Sequence, residues 1–137
     1  MSLYKGIRGF KVRTLTSDPA ASLAATGSWA SGGGLNTARR EVASAKNGTQ
    51  NATRMFSGYT TTWVALNESY NGTAYTEDAD LNTARYEASG SGTSSAALCF
   101  GGYDGSGTAK TESWNGSSWT EVNDLNQARF GLSLIHI

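Results

Sequence analysis

Three times in this chain a large aromatic residue is followed, six positions on, by Leu-Asn-x-Ala-Arg: Trp29 with Leu35 to Arg39, Tyr75 with Leu81 to Arg85, and Trp119 with Leu125 to Arg129. The copies stand 46 and then 44 residues apart. A period in the forties is the mark of a repeat architecture, in which one supersecondary unit cannot bury its apolar face alone and must stack on its neighbours. Other landmarks keep the same register. Phe56-Ser57-Gly58-Tyr59 returns 44 residues later as Phe100-Gly101-Gly102-Tyr103, and Glu68-Ser69-Tyr70-Asn71-Gly72 returns as Glu112-Ser113-Trp114-Asn115-Gly116.

The unit reads as β structure. Glycine contributes 17 residues and proline 1, and Ser, Thr and Asn fill the intervals between short aromatic or aliphatic runs. In one repeat, Arg85 to Ser91 and Ser95 to Gly101 form two strands around Gly92-Thr93-Ser94. Ala109 to Trp114 forms a third after Asp104-Gly105-Ser106-Gly107. Asn115-Gly116, which supplies positive φ in a tight hairpin, turns the chain into Ser118 to Val122. The preceding repeat predicts Arg39 to Lys46, Arg54 to Gly58, Val64 to Tyr70 and Ala74 to Glu77 in the same way. Each unit is therefore expected to be a four-stranded antiparallel meander. Trp29-Ala30 reads as the end of an earlier unit, and Phe130 to Leu134 as the first strand of a later one.

A Gly-Gly doublet after an apolar strand, a following aromatic, a Trp five residues before the next Trp and a Leu-x-x-x-Arg lead into the next strand together resemble the kelch repeat of β-propellers. The resemblance covers roughly Trp29 to Gly131 and implies an all-β fold of kelch-like blades. In it Gly58, Gly101 and Gly102 permit close backbone approach, while Tyr70, Trp114, Trp29, Tyr75 and Trp119 pack between blades. Ser57 departs from the doublet and Tyr75 from the usual Trp. The implied organisation is an N-terminal anchor or partial strand over 1–28, a partial blade over 29–38, blades over 39–84 and 85–128, and the start of another over 129–131. A propeller needs at least four blades, and four units of this length exceed the 137 residues present. The propeller is expected to be incomplete, with further blades or other copies of the chain as partners. Leu132 to Ile137 leaves the repeat pattern. It resembles the translation of adapter sequence read through the end of a reading frame, the other reading being an ordinary apolar last strand.

Charge excludes some classes of partner. Eleven basic residues balance 11 acidic ones, so no field favours nucleic acid or an anionic membrane. No apolar stretch is long enough to span a bilayer, and Met1 to Arg13 lacks the apolar middle of a signal peptide. The single cysteine, Cys99, sits in an apolar run and reads as a buried small hydrophobe. Catalytic chemistry is poorly supplied. The only histidine, His136, lies in the divergent tail, which leaves no supplier for a Ser-His-Asp arrangement or a His-containing metal site. Asp78, Asp80 and Asn82 alternate like the start of a calcium loop, but Thr83 stands where glycine is required. No catalytic residue, cofactor or metal ligand is assigned, and the chain is expected not to be an enzyme.

Arg39, Arg85 and Arg129 recur once per unit, which favours a structural guanidinium over a ligand contact. Recognition is instead expected in the loops where the units differ: Tyr59, Thr61 and Trp63 in one, Tyr103, Asp104 and Ser106 in the other. The wording of the repeats, from Ser28 to Arg39 and from Trp114 to Arg129, is similar to kelch-like arrays in structural proteins of tailed phages. That implies a virion or extracellular location and a non-enzymatic tail component that binds a host-surface glycan or protein. The alternatives are an intracellular protein-interaction propeller and a fragment of a carbohydrate-active enzyme.

Overall fold

The computed structural model describes residues 31–133. The whole of the anchor segment over 1–28, Trp29 and the tail from 134 onward lie outside the described residues. Among the described residues there is no helix, and eight short strands form two four-stranded antiparallel sheets. The first sheet runs β1 (Ala43–Ser44), β2 (Thr53–Phe56), β3 (Asn67–Tyr70), β4 (Tyr75–Glu77); the second runs β5 (Ser89–Gly92), β6 (Ala97–Phe100), β7 (Thr111–Trp114), β8 (Trp119–Val122). Each sheet is a meander in sequence order.

The registers are superimposable. Phe56 faces Asn67 as Phe100 faces Thr111, and Tyr70 faces Tyr75 as Trp114 faces Trp119. The hairpins at Asn71-Gly72 and Asn115-Gly116 are wider than the two-residue turn expected from their sequence. Four residues lie between the paired ends, and only the glycines take positive φ, 94° and 100°. The asparagines act through their side chains: Asn71 Oδ1 accepts from the Thr73 and Ala74 amides, and Asn115 Oδ1 from those of Ser117 and Ser118.

The first strand of each unit is shorter than predicted. Arg40 pairs with Tyr59, and Tyr86 with Tyr103, as isolated bridges. The next residues, Glu41 and Glu87, take φ of 55° and 51° and bend the chain before β1 and β5 begin. Gly131 repeats the device at φ 64°. Beyond it, the strand predicted from Phe130 is not formed in its described part. Gly131 donates to Glu87 O, and Leu132 O accepts from the Ser89 hydroxyl, so this segment leans on the unit before it instead of pairing with a strand of its own.

The core lies between the sheets. Phe56, fully buried, meets Trp119 edge-on at 4.9 Å. It also lies over Gly90, where a Cβ would come within 2.6 Å of the Phe56 ring and 2.4 Å of Ser44 O. Ala43, Ala45, Ala88, Ala97, Cys99, Leu81 and Trp114 complete the cluster. Small residues on β1 and β5 let the first strands approach, and the Glu87 amide donates to Glu41 O and the Asn47 amide to Gly92 O along that seam.

Candidate functional site

Strand ends divide the molecule into two ends. At one lie the β2–β3 and β6–β7 loops, with the segments that lead into each unit. The two loops start alike: Ser57 and Gly101 take φ of 60° and 63°, Gly58 and Gly102 take 121° and 105°. The second residue of each doublet donates to the carbonyl of the next arginine, Arg85 or Arg129. This reversal turns the chain sharply out of the sheet and sends Tyr59 and Tyr103 to the rim, where the bridges to Arg40 and Tyr86 fix them.

An aromatic ladder results. Tyr59 lies edge-on to Tyr86 at 5.4 Å, Tyr86 is tilted against Tyr103 at 5.4 Å, and Tyr103 meets both Trp63 at 6.4 Å and Phe130 at 5.8 Å. The Arg40 guanidinium caps the far end, 4.5 Å from the Tyr59 ring centre. Such offset and edge-to-face geometries suit the ring quadrupoles. The ladder is not sealed: Trp63 is 38% and Phe130 52% exposed, and the tyrosines are half-buried. Partial burial, followed by Glu87 and the neighbouring tyrosines, holds the Tyr86 phenol above its ordinary range, so it is a neutral hydroxyl near pH 7.

Of the residues predicted for recognition, Tyr59, Trp63 and Tyr103 come together in this ladder. Thr61 is exposed at its loop tip, Ser106 O accepts from the Asp104 amide in the equivalent tip, and Asp104 reaches Lys110 at 3.6 Å. Arg40, Tyr86 and Phe130 were missed by sequence reasoning. The signal was present: they occupy one register, each directly after the arginine of Leu-Asn-x-Ala-Arg.

That motif itself builds a buried anchor. Arg85 and Glu112 have fully buried side chains and meet at 3.1 Å, and Arg39 meets Glu68 in the same way. Glu112 also accepts from the Asn82 amide at 2.7 Å, the Asn82 side chain at 2.9 Å and the Thr83 amide at 3.3 Å; Glu68 accepts from the Asn36 amide at 2.7 Å. The amide side chains of Asn36 and Asn82 then donate to Tyr75 O and Trp119 O. The arginine thus serves mainly a carboxylate, with carbonyls of Met55 and Cys99 as weaker acceptors at 3.4 Å. Sequence reasoning expected a structural guanidinium and did not assign its glutamate. The recurrence of Glu68 and Glu112 was the available clue. Arg129, the third copy, is exposed, and its guanidinium has no ion pair among the described residues.

The remaining motifs resolve into packing. Asp78, which opened the calcium-like pattern, pairs with Arg54 at 2.9 Å, while Asn82 is taken by Glu112. Cys99 is fully buried, and burial pushes its thiol up to about 11 against the opposing pull of Arg85, so it stays protonated at neutral pH. No helix among the described residues is long and apolar enough to cross a membrane. No protein-family model and no curated protein matches the chain.

Proposed function

We propose that the chain is a non-enzymatic recognition module built from kelch-like propeller blades, which presents its aromatic rim to a host-surface glycan or protein within a phage tail or another extracellular adhesive assembly. The observation that carries the reading is the ladder of Tyr59, Tyr86, Tyr103, Trp63 and Phe130, a row of rings on a rigid frame and open to solvent. Exposed aromatics on an otherwise polar surface are what binding sites use, because a ring brings contact area at little entropic cost.

Two further observations support blades. The meanders share one register, and their first strands lie side by side along a hydrogen-bonded seam. The Arg–Glu anchor recurs with the period, and Arg129 presents the arginine half of a third anchor to solvent. On this reading a further blade or another copy supplies the carboxylate. Many copies on one particle convert weak contacts into avidity.

The test is a screen of immobilised glycans and surface proteins against the chain displayed in many copies, with Trp63→Ala beside the unaltered chain. Binding that falls roughly tenfold or more in the variant is expected, equivalent to about 1.4 kcal/mol at the rim. Absence of any binding at high valency, or equal binding by both, overturns the reading.

A further inference from the structure

The opposite ends of the strands hold a cleft of about 690 Å³, formed where the β1–β2 and β3–β4 turns of the first sheet meet the β5–β6 turn and Trp114 of the second. Its size falls within the range of small-molecule sites. At its floor is Arg54, 5% exposed and held from three directions: Nη1 donates to Asn67 Oδ1 at 3.0 Å and Asp78 Oδ2 at 2.9 Å, Nε donates to Ser94 O at 2.9 Å, and the guanidinium lies 4.1 Å over the Trp114 ring. Nη2 makes no hydrogen bond to the described residues. The cleft therefore has a rigidly oriented donor with spare capacity.

Among the described residues this arrangement occurs once, although the frame that carries it is repeated. The positions of Arg54 and Asp78 in the second sheet are Leu98 and Val122, which are 41% and 40% exposed. The Arg39–Glu68 and Arg85–Glu112 anchors recur because every unit needs them; Arg54–Asp78 is not part of that common machinery. Asp78 sets the ligand class. The carboxylate offsets the guanidinium charge at 2.9 Å, so an anionic ligand would meet a charge already answered. The other polar side chains on the walls are amides and hydroxyls, among them Asn51, Asn71, Thr93 and Ser95, the last two hydrogen-bonded to each other at 3.3 Å, and Tyr70 provides an aromatic wall. Neutral amides and hydroxyls pair with ligand hydroxyls, and a tyrosine ring packs on the apolar face of a sugar.

We infer that this cleft is a second binding site, distinct from the aromatic rim, which takes a neutral mono- or disaccharide. Arg54 Nη2 donates to a ring hydroxyl, Asn51 and Thr93 bind its neighbours, and Tyr70 covers one face.

The experiment uses the full chain and four neutral probes, the methyl glycosides of glucose, galactose, mannose and N-acetylglucosamine, with sialic acid as the anionic counterpart, followed by amide and arginine Nε–H NMR shifts. At least one neutral probe is expected to shift Arg54 Nε–H and the Asn51 side-chain amide in a saturable way. Asn51→Trp, a change at an exposed position that fills the cleft, is expected to weaken that binding roughly tenfold or more, while Thr120→Trp on the outer strand leaves it unaltered. No shift with any neutral probe overturns the assignment, as does a stronger response to sialic acid. Shifts confined to Tyr59, Trp63 and Tyr103 overturn the cleft while supporting the rim, which keeps the two readings separable.

Discussion

The two sheets have the same frame and opposite fates. In the first, Phe56 is fully buried and Arg54 is 5% exposed, because the second sheet lies over them. In the second, the equivalent Phe100 is half-buried and Leu98 is 41% exposed. The difference comes from position in the stack more than from residue type: a phenylalanine at the same place in the repeat is fully buried in one copy and only half-buried in the next. Stability in such a molecule resides in the joints, where each unit completes its neighbour.

The anchors give the sharpest way to break that comparison. Glu112 gathers the Arg85 guanidinium, both amides of Asn82 and Thr83, and the Asn82 side chain; Glu68 gathers Arg39 and the Asn36 amide. Removing one partner of a buried ion pair costs about 3–5 kcal/mol, because the other charge stays buried and unanswered. Glu112→Ala is expected at the upper end of that range and Glu68→Ala below it, as read from urea unfolding midpoints. Glu112→Gln, which keeps an acceptor for the link between the units, should fall between Glu112→Ala and the unaltered chain. A smaller loss at Glu112 than at Glu68 would mean that the link from β4 to β5 is not held by this carboxylate.

The joint itself comes next. Trp119 is 5% exposed and packs on Phe56 across the sheets, whereas Tyr75, its counterpart, is half-buried and rests on Tyr70 of its own sheet at 4.8 Å. Trp119→Ala is expected to lose about 3–5 kcal/mol, and Tyr75→Ala about 1 kcal/mol, by the same unfolding measurement. Equal losses would show that the seam between the sheets contributes no more than the exposed edge.

Much of the frame was legible because a repeat prints each constraint twice. All eight described strands fall at or within one or two residues of stretches read from the sequence, since the apolar runs and the Asn-Gly turns recur in register. The bends at Glu41 and Glu87 were not legible, because nothing in a glutamate announces a φ of 55° or 51°; the conformation is imposed by the bridge before it and the seam beside it. Of the rim, Tyr59, Trp63 and Tyr103 could be picked out as loop aromatics. Tyr86 and Phe130 were passed over because they sat in stretches read as strand; their shared register directly after the repeated arginine was the available signal, and they join the ladder only through the contact of one unit with the next. The cleft was invisible for the same reason. Arg54 and Ser94 are 40 residues apart, and their contact exists only after the sheets are stacked.

The smallest expected effect tests a place where the first unit departs from the glycine doublet of the second. Ser57 occupies, at φ 60°, the position that glycine holds in the second unit as Gly101 at φ 63°. At Gly101 a Cβ would approach Arg129 O to 2.5 Å. Ser57 has a Cβ in the same backbone conformation, and its hydroxyl is buried with no hydrogen-bond partner among the described residues. A left-handed conformation in a residue other than glycine costs of order 1 kcal/mol, and an unpartnered buried hydroxyl adds to it. Against this, glycine loses more backbone freedom on folding. The strain and the lost hydroxyl outweigh that entropy, so Ser57→Gly is expected to stabilise the chain by about 1 kcal/mol, measured as a higher urea midpoint with an unchanged slope. Gly101→Ser is expected to destabilise it by more than that gain, because Arg129 O must move. If Ser57→Gly lowers stability instead, the serine hydroxyl has a partner that offsets its strain, and the first unit is fitted to its own doublet as well as the second is to glycine.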